Sequence, residues 1–355
     1  MTNQPDSLAV LTVPASAFSI DDVARHLGDQ YQLAGDITAL VGERDQNFCL
    51  SCDDGRQFVV KIANSAEPES VTDFQIQALL HLEKNGCAVP VPKVVRTIDG
   101  SVATTLLADG VTHVMRVVTY LSGRPLADGD NDASLSHKLG ACLAATDAAL
   151  VGFEHRSENQ SLIWDMQRAP DLRSLVEFVP DVKIRAMVSD CLDDFEQNAK
   201  PQFAALRSQV IHNDLNPGNV LIADSEPPSV AGVIDFGDML HAPLIIDVAV
   251  AASYLRRTGD DAMELLAPFV AGFNAITPLH QVELDLLFDL VRTRLITTIV
   301  LMNWRIFAQP ASDAYMKKGV LNERSSEAFL KRLNDLSRSQ FDQSVATALD
   351  IPQTQ

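Results

Sequence analysis

Apolar and polar positions along the first third of the chain follow two rhythms. "FSIDDVARHLGDQY" repeats apolar residues at helical spacing behind Ser19 or Asp21, either of which suits an N-cap, so a short amphipathic helix is expected there. "ITALVGERDQNFCLSCDDGRQFVVKIAN" then alternates apolar runs with polar turns. The pair "NFCLSC" and "FVVKIA", rich in β-branched and aromatic residues around "DDGRQ", predicts a β-hairpin. Helical spacing returns in "PESVTDFQIQALLHLEKNG" at Phe74, Ala78, Leu79 and Leu82, with Gly86 as the stop. "VPVPKVVRTIDGSVATTL" and "VTHVMRVVTYL" supply further strands. Beyond "SGRPL" the pattern is mainly helical, in "SLSHKLGACLAATDAALVGF", "DLRSLVEFV", "KIRAMVSDCLDDFEQNAK" and most of residues 261–345. One strand-like interruption stands out, Val210 to Asp238, where "NVLIA" and "VAGVIDF" flank the turn "DSEPPS".

The economical architecture is α+β and two-lobed: a small antiparallel β N-lobe over residues 1–120, a linker near Leu121 to Pro125, and a larger helical C-lobe over 121–355. With 355 residues, two lobes each have room for a core. Charge narrows the function classes. Lys and Arg number 28 against 47 Asp and Glu, a net −19, which repels phosphate backbones and anionic lipid. Nucleic-acid and membrane partners are not expected, and no protein partner is implied. "LITTIVLM" (Leu295 to Met302), between Arg294 and Arg305, is far shorter than the about 20 apolar residues a bilayer needs. It reads as a buried helix. The N-terminus lacks the basic-then-apolar pattern of a signal peptide, so a cytoplasmic location is expected. Cys49 and Cys52 have Cys-x-x-Cys spacing, but they run from a strand into a turn and no second Cys/His pair completes a zinc site.

The chemistry concentrates in "VIHNDLNPGNVLIADSEPPSVAGVIDFGD". Phosphoryl transfer needs a carboxylate beside the attacking hydroxyl and oxygen ligands for a divalent cation on the phosphates. His212, Asp214 and Asn219 reproduce the H-x-D-x-x-x-x-N spacing of a kinase catalytic loop, and Asp235 opens "DFG" at the end of the returning strand. Asp214 is then the expected base, and Asn219 and Asp235 the expected Mg²⁺ ligands. A metal-hydrolase reading of the same residues is disfavoured, because only His212 offers an imidazole and the Asp/Asn set suits a hard, oxygen-preferring ion. The rapid passage from "DFGDM" into "LIIDVAVA", without "APE", leaves no peptide-docking segment and points to a small-molecule acceptor.

On these motifs, with "GERDQNF", "FVVKIAN" and "GVIDFGDM", the chain resembles the aminoglycoside phosphotransferase/choline kinase superfamily, small-molecule kinases of protein-kinase-like fold, and within it the hydroxylysine-kinase-like branch. The resemblance implies that Lys61 holds the α- and β-phosphates of ATP or GTP. It implies that the turn with Gly42, Arg44 and Asn47 covers the triphosphate, although a single glycine departs from G-x-G-x-x-G. The helix glutamate that usually steadies the lysine falls on Gln75, with Glu67, Glu69 and Asp73 as substitutes. Thr119 to Leu121 would form the hinge, with Leu221 and Ile234 below the base. His212 would brace the catalytic loop; Asp247 would cap its helix or hold the loop backbone. The implied acceptor is a hydroxylated amine or amino acid such as 5-hydroxylysine, with homoserine, choline, ethanolamine or an aminoglycoside as alternatives. Asp238 is the candidate for its amine, and Arg294, with Arg292 and Arg305 behind it, for its carboxylate. A non-catalytic nucleotide-binding protein is the rival class, and the presence of Lys61, Asp214, Asn219 and Asp235 speaks against it.

Overall fold

The computed structural model describes residues 13, 17–42, 44–126, 131–256, 261–308 and 314–350. It divides into two compact units, Met1–Ser122 with Glu154–Ile163, and Gly123–Phe153 with Trp164–Gln355.

In the first unit, helix α1 (Ile20–Tyr31) starts where the Ser19 hydroxyl accepts from Asp22 N and buries Val23, Leu27 and Tyr31 at four-residue spacing. Strands β1 (Asp36–Leu40), β2 (Gln46–Ser51), β3 (Gln57–Ile62), β4 (Val94–Val95), β5 (Thr104–Ala108) and β6 (Val111–Thr119) form an antiparallel sheet ordered β1-β2-β3-β6-β4, with β5 also on β6. Period-two alternation assigns its faces. Phe48 and Leu50, Phe58, Val60 and Ile62, and Met115 and Val117 meet Val23 and Leu27 of α1 in one core. Asn47, Lys61 and Arg116, paired in register across β2, β3 and β6, therefore stand in a row on the other face. Helix α2 (Glu69–Lys84) lies on that face, since its Gln75 reaches Arg116. Phe74, Ala78, Leu79 and Leu82 are buried, and Gly86 follows with φ +65°.

The second unit is built on helices. Helix α3 (Ala133–Leu150), capped by Asp132, is followed by a 3-10 stretch (Met166–Phe178) and helix α4 (Val182–Asp194). Helices α5 (Leu244–Ala252), α6 (Met263–Ile276), α7 (Gln281–Ala308), α8 (Ala314–Asn334) and α9 (Arg338–Ala348) complete it. The periodicity of "DLRSLVEFV" suggested an α-helix. Pro170, which lacks an N–H, lies inside that stretch, and the tighter 3-10 turns result. Helices α3 and α6 cross at contact distance: a Cβ on Gly140 would stand 1.9 Å from the Phe269 carbonyl oxygen, and one on Gly272 would stand 1.9 Å from that of His137. "LITTIVLM" lies inside the 28-residue α7. Among the described residues, no helix is long and apolar enough to cross a membrane.

Two small sheets frame the motif segment. Strands β7 (Arg124–Pro125), β9 (Val220–Ala223) and β10 (Ser229–Val233) form one, and β8 (Ser208–Ile211) pairs with β11 (Leu240–Pro243) to form the other. The residue pattern alone places β7 in a linker and β11 at the entry to a helix. Strands of two and four residues are too short for alternation to show, and only their pairing defines them. The His212–Asn219 loop thus connects β8 to β9, and Asp235–Gly237 connects β10 to β11.

Candidate active site

Built from its backbone, the loop is tied from three sides. Asp247, fully buried on α5, accepts the N–H of His212 at Oδ2 (2.8 Å) and of Asn213 at Oδ1 (2.8 Å). It caps no helix, because α5 begins at Leu244 behind Pro243. The His212 ring, also fully buried, accepts the Asp214 N–H at Nδ1 (3.2 Å) and donates from Nε2 to the Ile234 carbonyl (3.2 Å), which fixes the Nε2–H tautomer. Its edge meets Phe236 with ring centroids 4.8 Å apart. Asn213 Nδ2 donates to the Asp238 carbonyl at 3.1 Å. One histidine and one asparagine therefore join the catalytic loop to the "DFGD" turn. Asn213 and Asp235 hold φ of +62° and +63°, a region costly for non-glycine residues that persists where surroundings enforce it.

The side chains converge on Asp214. Asn216 Nδ2 (3.0 Å) and Asn219 Nδ2 (2.7 Å) both donate to its Oδ2, and Arg294 Nη2 stands 3.7 Å from its Oδ1. Burial, then the neighbouring Asp238 carboxylate, pushes the Asp214 carboxyl up to about 8 against the opposing pull of Arg294 and Asn216. Arg294 itself is 2 % exposed. Its guanidinium lies 4.9 Å from the Trp164 ring and 5.9 Å from the Tyr254 ring, and it donates to the Trp164 carbonyl at 3.2 Å. Arg292 instead pairs with Asp194 at 2.8 Å, away from this cluster.

Asn219 and Asp235 are brought together by the backbone: the Ile234 N–H donates to the Asn219 carbonyl at 2.9 Å. With Asn219 Nδ2 spent on Asp214, its Oδ1 is the atom left for a cation, and Asp235 is exposed. Mg²⁺ is commonly held by one or two carboxylates plus phosphate oxygens and water rather than by an all-protein cage, and this donor set fits that pattern. Among the described residues, no group of three or more His, Cys, Asp or Glu is arranged to hold a metal by itself.

In the first unit, Asn47, Lys61 and Arg116 form the row described above. Gly42 lies where a Cβ would come 2.4 Å from Asn47 Nδ2 and 2.5 Å from the Asp45 carbonyl oxygen, so this turn closes only on glycine. Buried Asn64 pins the turn by donating to the Arg44 carbonyl at 3.2 Å. Gln75, expected beside Lys61, accepts from Arg116 Nη2 at its carboxamide oxygen and donates from Nε2 to Glu67 Oε1 at 3.4 Å. Arg116, 3 % exposed, also faces Asp45 at 3.4 Å. At the expected hinge, the Thr119 and Tyr120 N–H groups donate to the Lys93 and Gln57 carbonyls, leaving Leu121 as the remaining donor of the three. In the second unit, Leu221 is buried in β9, and Ile234 is held through the two backbone bonds already given.

The sequence profile of the phosphotransferase enzyme family (APH) matches residues 36–281. The chain belongs to that family. It is a small-molecule kinase, a phosphotransferase acting on hydroxyl groups. It is 25% identical over 336 residues to a hydroxylysine kinase of Danio rerio, covering 91% of this chain and 92% of that protein. It is also 25% identical over 280 residues to a homoserine kinase of Azorhizobium caulinodans, covering 76% and 83%. Among solved structures, an amicoumacin kinase in complex with AMP-PNP, Ca²⁺ and Ami superposes with a TM-score of 0.68 at 16% identity over 91% of this chain and 97% of that one. A microcompartment-associated aminopropanol kinase gives 0.68 at 17% over 89% and 98%. The fold of this family member is accordingly α+β and protein-kinase-like.

The residues that sequence reasoning missed are Asn216, Trp164, Tyr254 and Arg116. Asn216 lies inside the motif, and an asparagine two residues after a catalytic aspartate is a legible signal. The other three sit in distant segments and carry none.

Proposed function

We propose that this protein transfers the γ-phosphate of Mg²⁺-bound ATP or GTP to the hydroxyl of a small amine or amino acid resembling 5-hydroxylysine, in the cytoplasm. The observation that carries the reading is Asp214: two asparagine amides fix its Oδ2, and Oδ1 remains to take a proton from the attacking hydroxyl. A base whose pKa lies near working pH combines occupancy of the basic form with driving force for proton transfer. Asn219 Oδ1 and Asp235 would hold Mg²⁺, which when bound neutralises charge on the transferring phosphoryl group. Lys61 would hold the nucleotide phosphates, with Asn47, Gly42 and Arg44 in the covering turn and Leu121 at the hinge. Leu221 and Ile234 would flank the base. His212 and Asp247 would hold Asp214 in place. Asp238, 7 % exposed and close enough to raise the Asp214 carboxyl, is the acid for the acceptor's amine. Arg294 is too enclosed to offer an incoming carboxylate a face. Its place in the mechanism is therefore beside the base, where it offsets the charge of Asp214.

Similarity to hydroxylysine kinase over nearly the whole of both chains supports the choice of acceptor. The test is nucleoside-diphosphate release with Mg²⁺ and either ATP or GTP, against 5-hydroxylysine, homoserine, choline, ethanolamine and an aminoglycoside. Turnover with 5-hydroxylysine above the others is expected. A preference for homoserine or choline would replace the acceptor and keep the kinase, and no turnover with intact nucleotide binding would remove the proposal.

A further inference from the structure

Asp247 is not the only carboxyl beneath the catalytic loop. Asp147, one turn from the end of α3, is 1 % exposed, and neither of its carboxyl oxygens accepts a hydrogen bond from any N–H or hydroxyl donor among the described residues. What faces it is Asp247. The cation whose charge reaches it is Arg207, and that guanidinium is already gripped by Glu283 through Nε (2.7 Å) and Nη2 (2.9 Å). Asp247 also takes the His212 N–H at its Oδ2. Gln209 of β8 donates to the Asp147 backbone carbonyl at 2.8 Å, which ties this end of α3 to the strand leading into the loop.

Two ionised carboxylates in contact, both cut off from water, repel too strongly to coexist, so one keeps a proton. Asp247 accepts two short backbone N–H bonds, and such bonds favour the charged form. Asp147 accepts none at its carboxyl, and a neutral carboxylic acid has one O–H to donate. We propose that Asp147 is a neutral carboxylic acid whose O–H donates to Asp247 and, through it, fixes the backbone of His212 and Asn213 and hence the position of Asp214. Asp147 is thus a positioning residue two contacts removed from the reacting atoms. Burial, followed by the charge of Asp247, raises its carboxyl well above the ordinary range, in agreement with the geometry.

The sign of the consequence follows by linkage. A carboxyl that holds its proton in the folded chain and loses it near pH 4 when unfolded contributes stability below that pH, and the contribution falls as pH rises toward the folded value. Asparagine preserves a donor to Asp247 and has no proton to lose. Asp147→Asn should therefore gain thermal stability over the parent as pH rises from about 4 to 8, with the difference smallest at the acid end. An infrared band of a protonated carboxyl should be present in the parent at pH 8 and reduced in Asp147→Asn. This proposal rests on Asp214 being the base only for its kinetic arm: Asp147→Asn should keep kcat within about threefold, and Asp147→Ala should lose at least about tenfold in kcat with nucleotide KM unchanged. A stability difference flat with pH, or no carboxyl band lost on substitution, would overturn it whether or not an acceptor is known. Asn as damaging to kcat as Ala would overturn the positioning role. If Asp147→Ala does not fold, the stability and infrared measurements on Asp147→Asn decide alone.

Discussion

The two units carry their polar groups in contrasting ways. Around Asp214 most of the groups come from one contiguous stretch, with Asp247 and Arg294 added from helices, and those of the stretch are bonded largely to one another: Asn216 and Asn219 to Asp214, His212 to Asp214 and Ile234, Asn213 to Asp238. Around Lys61 they come from separate elements. Asp45 precedes β2, Glu67 and Gln75 belong to the approach and body of α2, and Arg116 is on β6. The first arrangement is a short-range device, specified by the spacing of one loop. The second is a long-range device that exists only once the sheet and α2 have packed. In it, the helix position that usually supplies a glutamate to the lysine supplies a glutamine to an arginine.

The sharpest way to break the contrast is Asp214→Asn. Removing a general base costs about 10²–10⁴-fold in rate, so kcat should collapse while nucleotide affinity, measured by calorimetry, is kept. Equal turnover would show that the loop holds no base. Arg116→Ala should act on stability instead. Arg116 opposes the raised pKa that burial, and then Asp45, impose on Glu67, and its loss strands those acids. Removing one partner from a buried charge network costs about 3–5 kcal/mol, which a denaturant midpoint would read. A loss below about 1 kcal/mol would mean that the cluster behaves as an exposed one. Asp235→Asn should weaken Mg²⁺-dependent nucleotide binding by about 10–100-fold, the size of one charge-assisted contact, and have little effect on nucleotide without metal. Smallest is the pH effect. Because the Asp214 carboxyl is pushed up to about 8, its basic form is scarce at neutral pH. In the free enzyme kcat/KM should rise about tenfold per unit between pH 6 and 7 and level above 8. Mg²⁺ binding nearby would move that limb to lower pH, and a profile flat from 6 to 9 would remove Asp214 as the titrating group.

What sequence could reveal divides along the same line. Helical spacing located α1 and α2, and period-two alternation located the β2–β3 hairpin, because each pattern repeats within a few residues. His212, Asp214, Asn219 and Asp235 stood out for the same reason, since their spacing is the signal. Arg294 shows the limit. It appeared only as an arginine beside an apolar run, whereas its neighbours Trp164 and Tyr254 lie 130 and 40 residues away. Arg116 sat unremarked in "VTHVMRVVTYL", because strand alternation states that it faces away from Met115 and Val117 and says nothing of what it meets. Gln75 was legible as a departure, but Arg116 as its partner was not. Strand β11 was hidden by its brevity, and the 3-10 form of Met166–Phe178 by an apolar rhythm that Pro170 overrides.

The glycine crossing of α3 and α6 bears on how substitutions in this protein will be scored. Positions 140 and 272 touch no reacting group, yet any side chain at either one would drive into the backbone of the opposite helix. Asp147 lies two turns beyond Gly140 on the same helix. In a library selected for activity alone, both glycines should prove as intolerant as Asp214. Measured abundance of folded protein would separate them: loss at 140 and 272 would track abundance, and loss at 214 would not.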